Sequence, residues 1–463
     1  MRLFFSFFIL LGLVNQLFGQ NFPKDIEDQF EKRLQACVKV TCFAQFELER
    51  QPVTTHGIVI DKEGHIVITE SNIPAWLPPK ELKEFKVFLL GDDEKSYTAT
   101  YLGQDYLTAW HYIKVEETAL EHLVPITKFG SSSVQIGEAV WGIGALSKSF
   151  GYQSLFLSGN VSFLKKMPFD MGFSQDGLVA PGLPVFDRKG RLVGVGAQPL
   201  KLERMLYIGQ EAYLAAVQRA SGETERFLTA KPFLKYMDRI PQKTQGNAQP
   251  FLGVAGLQSL DSEAASLMGL KDQSAIVVSD VIAGTPAEAG GLKARDIIIE
   301  IDGKPFPKFR PNEIVSHYGE IQIAEHAPGE DMELTVLRDG KKESLICVLG
   351  QSPKLFKEAQ REYFAKLGLT VREFLVQDSL NRRIITLEPQ PGTLVQFVRP
   401  NSPVSSAGLE SNDWIREIDG EVIHTFEQAV DTLKAANVSE EKKDMVLLIR
   451  RGNETKVLQV KLD

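Results

Sequence analysis

The sequence predicts a mainly β protein, in which a β-rich N-terminal domain precedes two copies of a smaller α+β module. Short β-rich runs separated by Gly and Asp turns extend from residue 36 to about residue 209, a pattern typical of a sandwich or barrel. In the second half, GTPAEAGGLKARDIIIEIDG (284–303) and NSPVSSAGLESNDWIREIDG (401–420) are identical at nine of twenty positions without a gap. A chain of 463 residues is also longer than a single hydrophobic core usually supports.

The chain begins with a stretch typical of export. In MRLFFSFFILLGLVNQLFG, Arg2 precedes an apolar run of about 12 residues, and Gly19 offers a cleavage point. This run is short for a bilayer span, so residues 1–19 are predicted to be a signal peptide, with a retained membrane anchor as the alternative. We expect the mature protein to be periplasmic or extracellular, with no membrane span after signal removal.

Composition excludes several classes of partner and cofactor. The net charge of −8 leaves no basic stripe, so we expect no nucleic acid partner. The sequence contains no zinc motif, P-loop or dinucleotide fingerprint, and we predict no cofactor and no metal site. Cys37, Cys42 and Cys347 lack metal-ligand spacing and are predicted to be buried thiols.

The segments follow one another in a simple order. Residues 20–35 form an N-terminal segment with a short helix, and residues 36–230 form the β-rich domain. Helical periodicity is present at 211–220 and near 227–238. A linker at 231–249 precedes the two modules, at 250–350 and 351–463.

Each module contains Pro, then Gly-Leu, then Asp, then an apolar strand that ends in Asp-Gly. This order predicts a short helix (286–289 and 403–407) capped by glycine, followed by a strand and a tight turn. It resembles a PDZ domain of the kind attached to bacterial exported proteases.

The PDZ resemblance implies a peptide-binding loop with a Φ-Φ-Gly-Φ pattern, whose backbone N–H groups hold a terminal carboxylate while the peptide adds as a strand. FLGV at 251–254 matches in the first module, and LGLTV at 367–371 is the best match in the second. The alternative is that these apolar residues only pack the modules. The predicted peptide-binding residues are Phe251, Leu252, Gly253, Val254, Leu367, Gly368, Leu369 and Val371.

With such modules downstream, the β-rich domain resembles the HtrA family of serine endopeptidases. GIVIDKEGHIVIT (57–69), YLGQDYLTAWHYIKV (101–115), FGSSSVQIGEAVWGIGAL (129–146) and LVAPGLPVFDRKGRLVGVG (178–196) follow the order of that family's landmarks. The resemblance implies a chymotrypsin/trypsin-like double β-barrel followed by two PDZ domains.

The same resemblance places Asn72, Ala109 and Pro181 at the positions of the catalytic histidine, aspartate and serine. An alignment that deletes the serine altogether fits nearly as well. A neutral amide is no general base, alanine cannot orient an imidazole, and proline offers neither a nucleophile nor an N–H. Residues 175–220 contain no Ser, Thr or Cys, and we interpret His56, His65 and His111 as surface or strand residues.

These observations favour an exported pseudoprotease, not an enzyme, that binds peptides or unfolded protein C-termini as a chaperone, adaptor or regulatory scaffold in envelope protein quality control. Two alternatives stay open: an active serine-type endopeptidase with a non-standard site, and an inactive subunit of a mixed oligomer with an active paralogue. The family resemblance also implies a homotrimer, for which the Phe-rich edge near Phe43 and Phe46 is the candidate contact.

Overall fold

A computed structural model describes residues 24–462 apart from 70–71, 75, 93, 167, 176, 197–224, 389 and 439–440. The predicted signal peptide and the predicted helix at 211–220 lie outside the described residues. Helix α1 (Ile26–Leu34) confirms the expected N-terminal helix. In the described part, no helix combines the length and the apolar character that a membrane span requires.

The first half of the N-terminal domain is a closed six-stranded barrel with the order β1-β2-β3-β6-β5-β4. Alternate side chains of its strands fill the interior, as a half-buried strand requires. The strands are β1 (Cys37–Gln45), β2 (Arg50–Val59), β3 (His65–Ile68), β4 (Leu82–Leu89), β5 (Ser96–Gln104) and β6 (His111–Val115).

The second half is a seven-stranded antiparallel sheet with the order β8-β7-β11-β12-β13-β10-β9. Its strands are β7 (Ala139–Ala145), β8 (Ser154–Asn160), β9 (Phe163–Lys166), β10 (Asp170–Ser174), β11 (Pro184–Asp187), β12 (Leu192–Gly196) and β13 (Glu225–Thr229). Helix α2 (Ala230–Tyr236) follows directly. The helix predicted near 227–238 therefore begins three residues late, because Phe227 and Leu228 are buried in strand pairs with β12 and β10.

Each C-terminal module is a sheet with helices packed against it. The first contains β14 (Pro250–Phe251), β15 (Leu257–Ser259), α3 (Ser262–Leu267), β16 (Ile276–Val278), α4 (Pro286–Ala289), β17 (Ile297–Ile301), β18 (Lys304–Pro305), α5 (Ile314–Ala324), β19 (Asp331–Arg338), β20 (Lys341–Val348) and β21 (Gly350–Gln351). The second contains β22 (Arg361–Phe364), β23 (Leu369–Glu373), α6 (Val376–Asn381), β24 (Thr393–Val398), α7 (Pro403–Ser406), β25 (Trp414–Ile418), β26 (Glu421–Val422), α8 (Phe426–Val438), β27 (Asp444–Arg451) and β28 (Glu454–Lys461).

The sequence repeat has a direct structural counterpart in a buried ion pair. Asp296 is 1% exposed and lies 2.6 Å from the Arg338 guanidinium, and Asp413 repeats this contact with Arg451 at 2.6 Å. Each carboxylate also accepts a hydrogen bond from a backbone N–H three residues earlier. The repeated Asp therefore has the same role in both modules, as a buried carboxylate that is stable because it is paired and hydrogen-bonded. The short helices α4 and α7 confirm the predicted Pro-initiated helices.

The three cysteines are buried and free, as the sequence predicts. Burial raises the pKa of the Cys42 thiol to about 12 and that of Cys347 to about 11. A thiol with such a pKa carries almost no thiolate at neutral pH, so these residues act as small core side chains.

Candidate functional site

Pro181 lies at the tip of a tight turn within residues 178–196, the segment that resembles the family's serine segment. Leu183 N–H donates to Ala180 O (3.1 Å), and Gly182 has φ +81°. This is the geometry of a type II turn, which favours Pro at the second position and needs glycine at the third. Pro181 is exposed, and as an imino acid it has no N–H to donate.

Ala109 and Asn72 occupy loops at the end of the first barrel. Ala109 has φ +58° and its carbonyl accepts from Gln104 Nε2 (3.1 Å), which anchors the turn before β6. Asn72 is exposed in the loop after β3. Among the described residues, no hydrogen bond joins Asn72, Ala109 and Pro181 to one another. Their assignment to triad positions stays a prediction.

His56, interpreted from the sequence as a surface or strand residue, contacts the turn that carries Pro181. Its Nδ1 lies 3.2 Å from Pro181 O, a contact between β2 and a loop 125 residues later. Burial lowers the pKa of His56. The hydrogen bond to Pro181 raises it and the nearby Lys39 charge lowers it, so the net shift of the pKa is downward. The ring is therefore neutral at pH 7, with Nδ1–H donating to the carbonyl and the Nε2 lone pair available as a base. No sequence signal marks this contact, because it depends on the tertiary fold.

His111 lies in a second of the aligned triad segments, 101–115. It is 5% exposed on β6, and its Nδ1 lies 2.9 Å from the Tyr101 hydroxyl. Burial, with a smaller effect of Lys357, lowers its pKa to about 3. A base with so low a pKa takes up protons poorly near neutrality, so His111 is a structural histidine of the strand.

Asp187 holds the turn that follows the Pro181 loop. Its Oδ1 accepts from Lys189 N–H and Arg191 N–H (both 2.9 Å), and its Oδ2 accepts from Ser132 Oγ (2.9 Å) and Arg191 Nε (2.8 Å). Burial alone would raise the pKa of Asp187, but these hydrogen bonds outweigh burial and lower it below 3.8. A carboxylate with several donors therefore stays ionised and ties the β11–β12 turn to the Ser132 loop.

We expect Asp187 to make the N-terminal domain sensitive to acid. A lowered folded-state pKa gives a stability contribution that is complete above the unfolded pKa, near 4, and is lost as pH falls through the folded pKa. Asp187→Asn should therefore lower the free energy of unfolding at pH 7 and flatten its dependence on pH below 4. Acid titrations of the two proteins, followed by circular dichroism, measure this. Parallel curves would contradict the assignment.

The loop at 251–254 in the first module presents three consecutive backbone donors. Within the described residues, the N–H groups of Leu252, Gly253 and Val254 meet no acceptor, whereas the carbonyls of Leu252 and Gly253 accept from Ala287 and Ile282. Gly253 has φ +92°, and a Cβ placed on it would lie 2.1 Å from the Thr285 Cβ. Only glycine fits this backbone conformation, which leaves the three consecutive N–H groups without a partner in the loop itself.

Strand β15 follows this loop and lies at the end of its sheet. It pairs with β16 on one side, and no other described strand pairs with its second edge. Helix α5 packs against β15, so the loop, the strand edge and the helix lie next to one another. The arrangement matches the requirements for adding a peptide strand with its carboxylate at the loop.

The equivalent residues of the second module are placed differently. Leu367, Leu369 and Val371 are buried in the module core, and Gly368 has φ +71° in a tight turn between β22 and β23. This turn joins two paired strands, so the predicted residues belong to a hairpin.

Comparison with known proteins identifies the two modules. A family model described as PDZ domain matches residues 250–347 and 366–462. Both C-terminal modules are PDZ domains. Together with the β architecture of the N-terminal domain, this match confirms the predicted fold class, a trypsin-like domain followed by two PDZ domains. The finer boundaries at 36–230, 231–249, 250–350 and 351–463 stay predictions.

The similarity to protease relatives extends over most of the chain. A protein of Chlamydia trachomatis named "Probable periplasmic serine endoprotease DegP-like" is 25% identical over 421 residues, which cover 90% of this chain and 76% of the relative. A Halomonas elongata protein of the same name is 24% identical over 455 residues, covering 95% and 85%. The solved structure "HtrA-type protease AlgWS227A with tripeptide" is 19% identical, covers 71% of this chain and 97% of its own, and has a TM-score of 0.49.

The two named relatives and the PDZ match support the predicted resemblance to HtrA-family serine proteases with PDZ domains, and the relatives correct one prediction. The prediction that the chain is not an enzyme is wrong by this comparison, since relatives matched over nine-tenths of its length are named serine endoproteases. That prediction considered three aligned positions and the loop at 175–220. It also interpreted the nearby histidines as surface or strand residues, because a sequence alone does not show which base the fold could bring to a nucleophile from another segment.

Proposed function

We propose that this chain captures the C-terminal ends of peptides or unfolded proteins at the 251–254 loop of its first PDZ domain. We further propose that it does so in the periplasm, as a chaperone, adaptor or regulatory scaffold in envelope protein quality control. The observation that carries the proposal is the row of three donors at Leu252, Gly253 and Val254, which meet no acceptor among the described residues. Backbone nests of this kind bind anions, and the C-terminal carboxylate of a peptide is one of the anions they capture.

The surroundings of the loop suit an apolar peptide end. Phe251, Leu252 and Val254 are buried apolar side chains next to the donors, so a terminal apolar side chain would meet apolar neighbours there. Phe251 is itself packed against Ile282 and against Leu380 of α6. The periplasmic location is proposed because the named relatives are periplasmic proteins.

A pair of peptides tests the carboxylate requirement. A fluorescent decapeptide that ends in a free Val carboxylate should bind the full chain saturably, and its C-terminally amidated twin should bind at least about tenfold more weakly. Such a loss corresponds to removing charge-assisted hydrogen bonds of about 1.5–3 kcal/mol. Equal binding of the two peptides by fluorescence polarisation would refute the proposal.

A second candidate function is that of a serine-type endopeptidase with a non-standard site. The names of the relatives favour it, over 90% and 95% of this chain. Since residues 175–220 contain no Ser, Thr or Cys, the nucleophile would have to come from another segment. His56 is the proposed base, because its neutral ring is oriented by the Pro181 carbonyl in the way that a carboxylate orients a catalytic imidazole.

A fluorophosphonate probe and casein digestion test this second candidate. Covalent labelling and cleavage by the purified chain, both lost in His56→Ala, would support an endopeptidase that uses His56. His65→Ala is the matched control, because His65 is held by Asp61 at 2.6 Å and should leave both signals unchanged. If the unmodified protein is not labelled and does not cleave casein, the second candidate is excluded and the first is unaffected.

The homotrimer and the mixed oligomer stay predictions. Phe43 faces the Arg50 guanidinium at 4.4 Å, and Phe46 packs on Trp76, so these aromatic rings already have intramolecular partners. Light scattering measures the molar mass at several concentrations. A molar mass that equals that of one chain at every concentration would count against the trimer.

A further inference from the structure

The strand that would accept a peptide in the second PDZ domain is already paired on both sides. By its place in the module, β23 corresponds to β15, since each follows the Gly-containing loop and precedes a short helix. Yet β23 lies between β22 and β24, whereas β15 ends its sheet. β22 runs antiparallel to β23, with Arg361 opposite Arg372 and Phe364 opposite Leu369. This is the direction and the edge of an added peptide strand.

β22 also fills the space between β23 and helix α8. The helix packs against both strands. Phe364 is 2% exposed in the module core, where it belongs to the same cluster as Leu433 of α8. Glu362 forms an ion pair with Lys434 of α8 at 3.4 Å. The groove therefore holds a segment of the chain itself.

The donors of the second loop are occupied as well. Lys366 and Leu367 donate their N–H groups to Asn437 Oδ1 at 3.0 and 3.4 Å, and Gly368 N–H donates to Phe364 O at 2.8 Å. The three donors of the first loop meet no such acceptor within the described residues. A carboxylate entering the second loop would have to displace the Asn437 amide and the hairpin together.

We infer that residues 361–364 are the internal ligand of the second PDZ domain, which closes its groove to peptides from outside. Leu367, Gly368, Leu369 and Val371 are then hairpin and core residues, and do not contact a peptide. This inference goes beyond the proposed function, because it concerns a different groove and holds whether or not the first domain binds peptides.

The internal ligand also joins the second PDZ domain to the first barrel. Arg361 Nη2 donates to Trp76 O at 3.0 Å, and the guanidinium lies 5.7 Å from the Trp76 ring centre. Next to it, Thr370 Oγ1 donates to Glu47 Oε1 at 3.0 Å. The same short segment thus closes the groove and connects the two domains.

Amide hydrogen exchange of the full chain tests the internal ligand without any peptide. Glu373 N–H donates to Gln360 O at 2.9 Å, and hydrogen-bonded pairs recur every second residue in an antiparallel ladder, so the next such pair is Glu362 with Val371. Glu362→Pro removes the N–H that donates to the Val371 carbonyl, so β22 separates from β23 and the reciprocal bond from Val371 N–H to the Glu362 carbonyl is weakened, while the core side chains are spared. It should accelerate exchange of the Val371 amide at least about tenfold.

Two further variants make the test decisive. Glu362→Gln keeps the backbone donor and removes only the exposed ion pair, so Val371 exchange should stay within about twofold of the unmodified protein. Asn437→Ala should accelerate exchange of the Lys366 and Leu367 amides by about threefold or more. This variant tests the inference independently if Glu362→Pro does not fold. The inference is overturned if Val371 exchanges without protection in the unmodified protein. It is equally overturned if Asn437→Ala leaves the two loop amides unchanged.

Discussion

Gly253→Ala should abolish measurable binding of a free-carboxylate peptide, with a loss of at least about 100-fold in affinity. Two costs add at this position. At φ +92° an L-residue is strained by about 1–2 kcal/mol, and the new Cβ would lie 2.1 Å from the buried Thr285 Cβ, an overlap that must shift the loop at a cost of about 1–3 kcal/mol. A shifted loop displaces its three N–H groups, so the proposed carboxylate site is lost. Fluorescence polarisation with the free-carboxylate decapeptide measures the effect.

Gly284→Ala is the matched control for this variant. Gly284 lies in the same PDZ domain with φ +74°, but a Cβ placed on it meets no atom within 4 Å. It therefore carries the strain of the backbone without the overlap, and should destabilise the domain by about 1 kcal/mol while leaving peptide affinity within about twofold. Binding by Gly253→Ala as tight as that of Gly284→Ala would show that the 251–254 loop is not where the carboxylate binds.

Much of the fold follows from local sequence signals. The ungapped repeat predicts two equal modules because both copies need the same buried Asp, at 296 and 413, opposite an Arg on a later strand. Strand β13 was missed because Phe227 and Leu228 have an apolar spacing compatible with a helix, and only their pairing with β12 and β10 determines the strand. β22 had a usable signal. REYF followed by a turn with Gly368 and then LTVRE is a hairpin pattern.

The candidate sites were predictable to different degrees. The FLGV pattern located the loop of the first PDZ domain, because a glycine between apolar residues is required at that point. The same pattern in the second domain could not reveal that Asn437, seventy residues later, already binds the loop donors. The contact between His56 and Pro181 joins residues even farther apart in sequence, at a separation of 125. Contacts of this kind depend on the packing of whole domains, for which a single sequence carries no local signal.

Asp105→Asn should lower the stability of the N-terminal domain by about 2–4 kcal/mol. Asp105 is fully buried, and its Oδ1 accepts from Arg239 Nε at 3.0 Å, while its Oδ2 accepts from Thr108 N–H and Oγ1, both at 2.9 Å. Burial alone would lower the pKa of Arg239, but Asp105 and the neighbouring Tyr106 raise it. Removing the carboxylate charge leaves a largely buried guanidinium uncompensated, which is the costly way to break an ion pair. Arg239 keeps 26% of its side chain exposed, which places the loss below that of a fully buried pair.

A double-mutant cycle separates this ion pair from the rest of the turn. Arg239→Gln alone should cost at least as much as Asp105→Asn, because it leaves the buried carboxylate unpaired, and the double variant should cost clearly less than the sum of the two. Opening free energies from native-state exchange of the Trp110 and Tyr112 amides measure the effect in this domain separately from the PDZ domains. Glu84→Gln removes the exposed pair with Arg50 and should cost less than about 1 kcal/mol. Additive single effects in the cycle would contradict the pairing. Asp105 also orders the turn that carries Ala109. Additive single effects would show that the Thr108 hydrogen bonds, without Arg239, hold this turn.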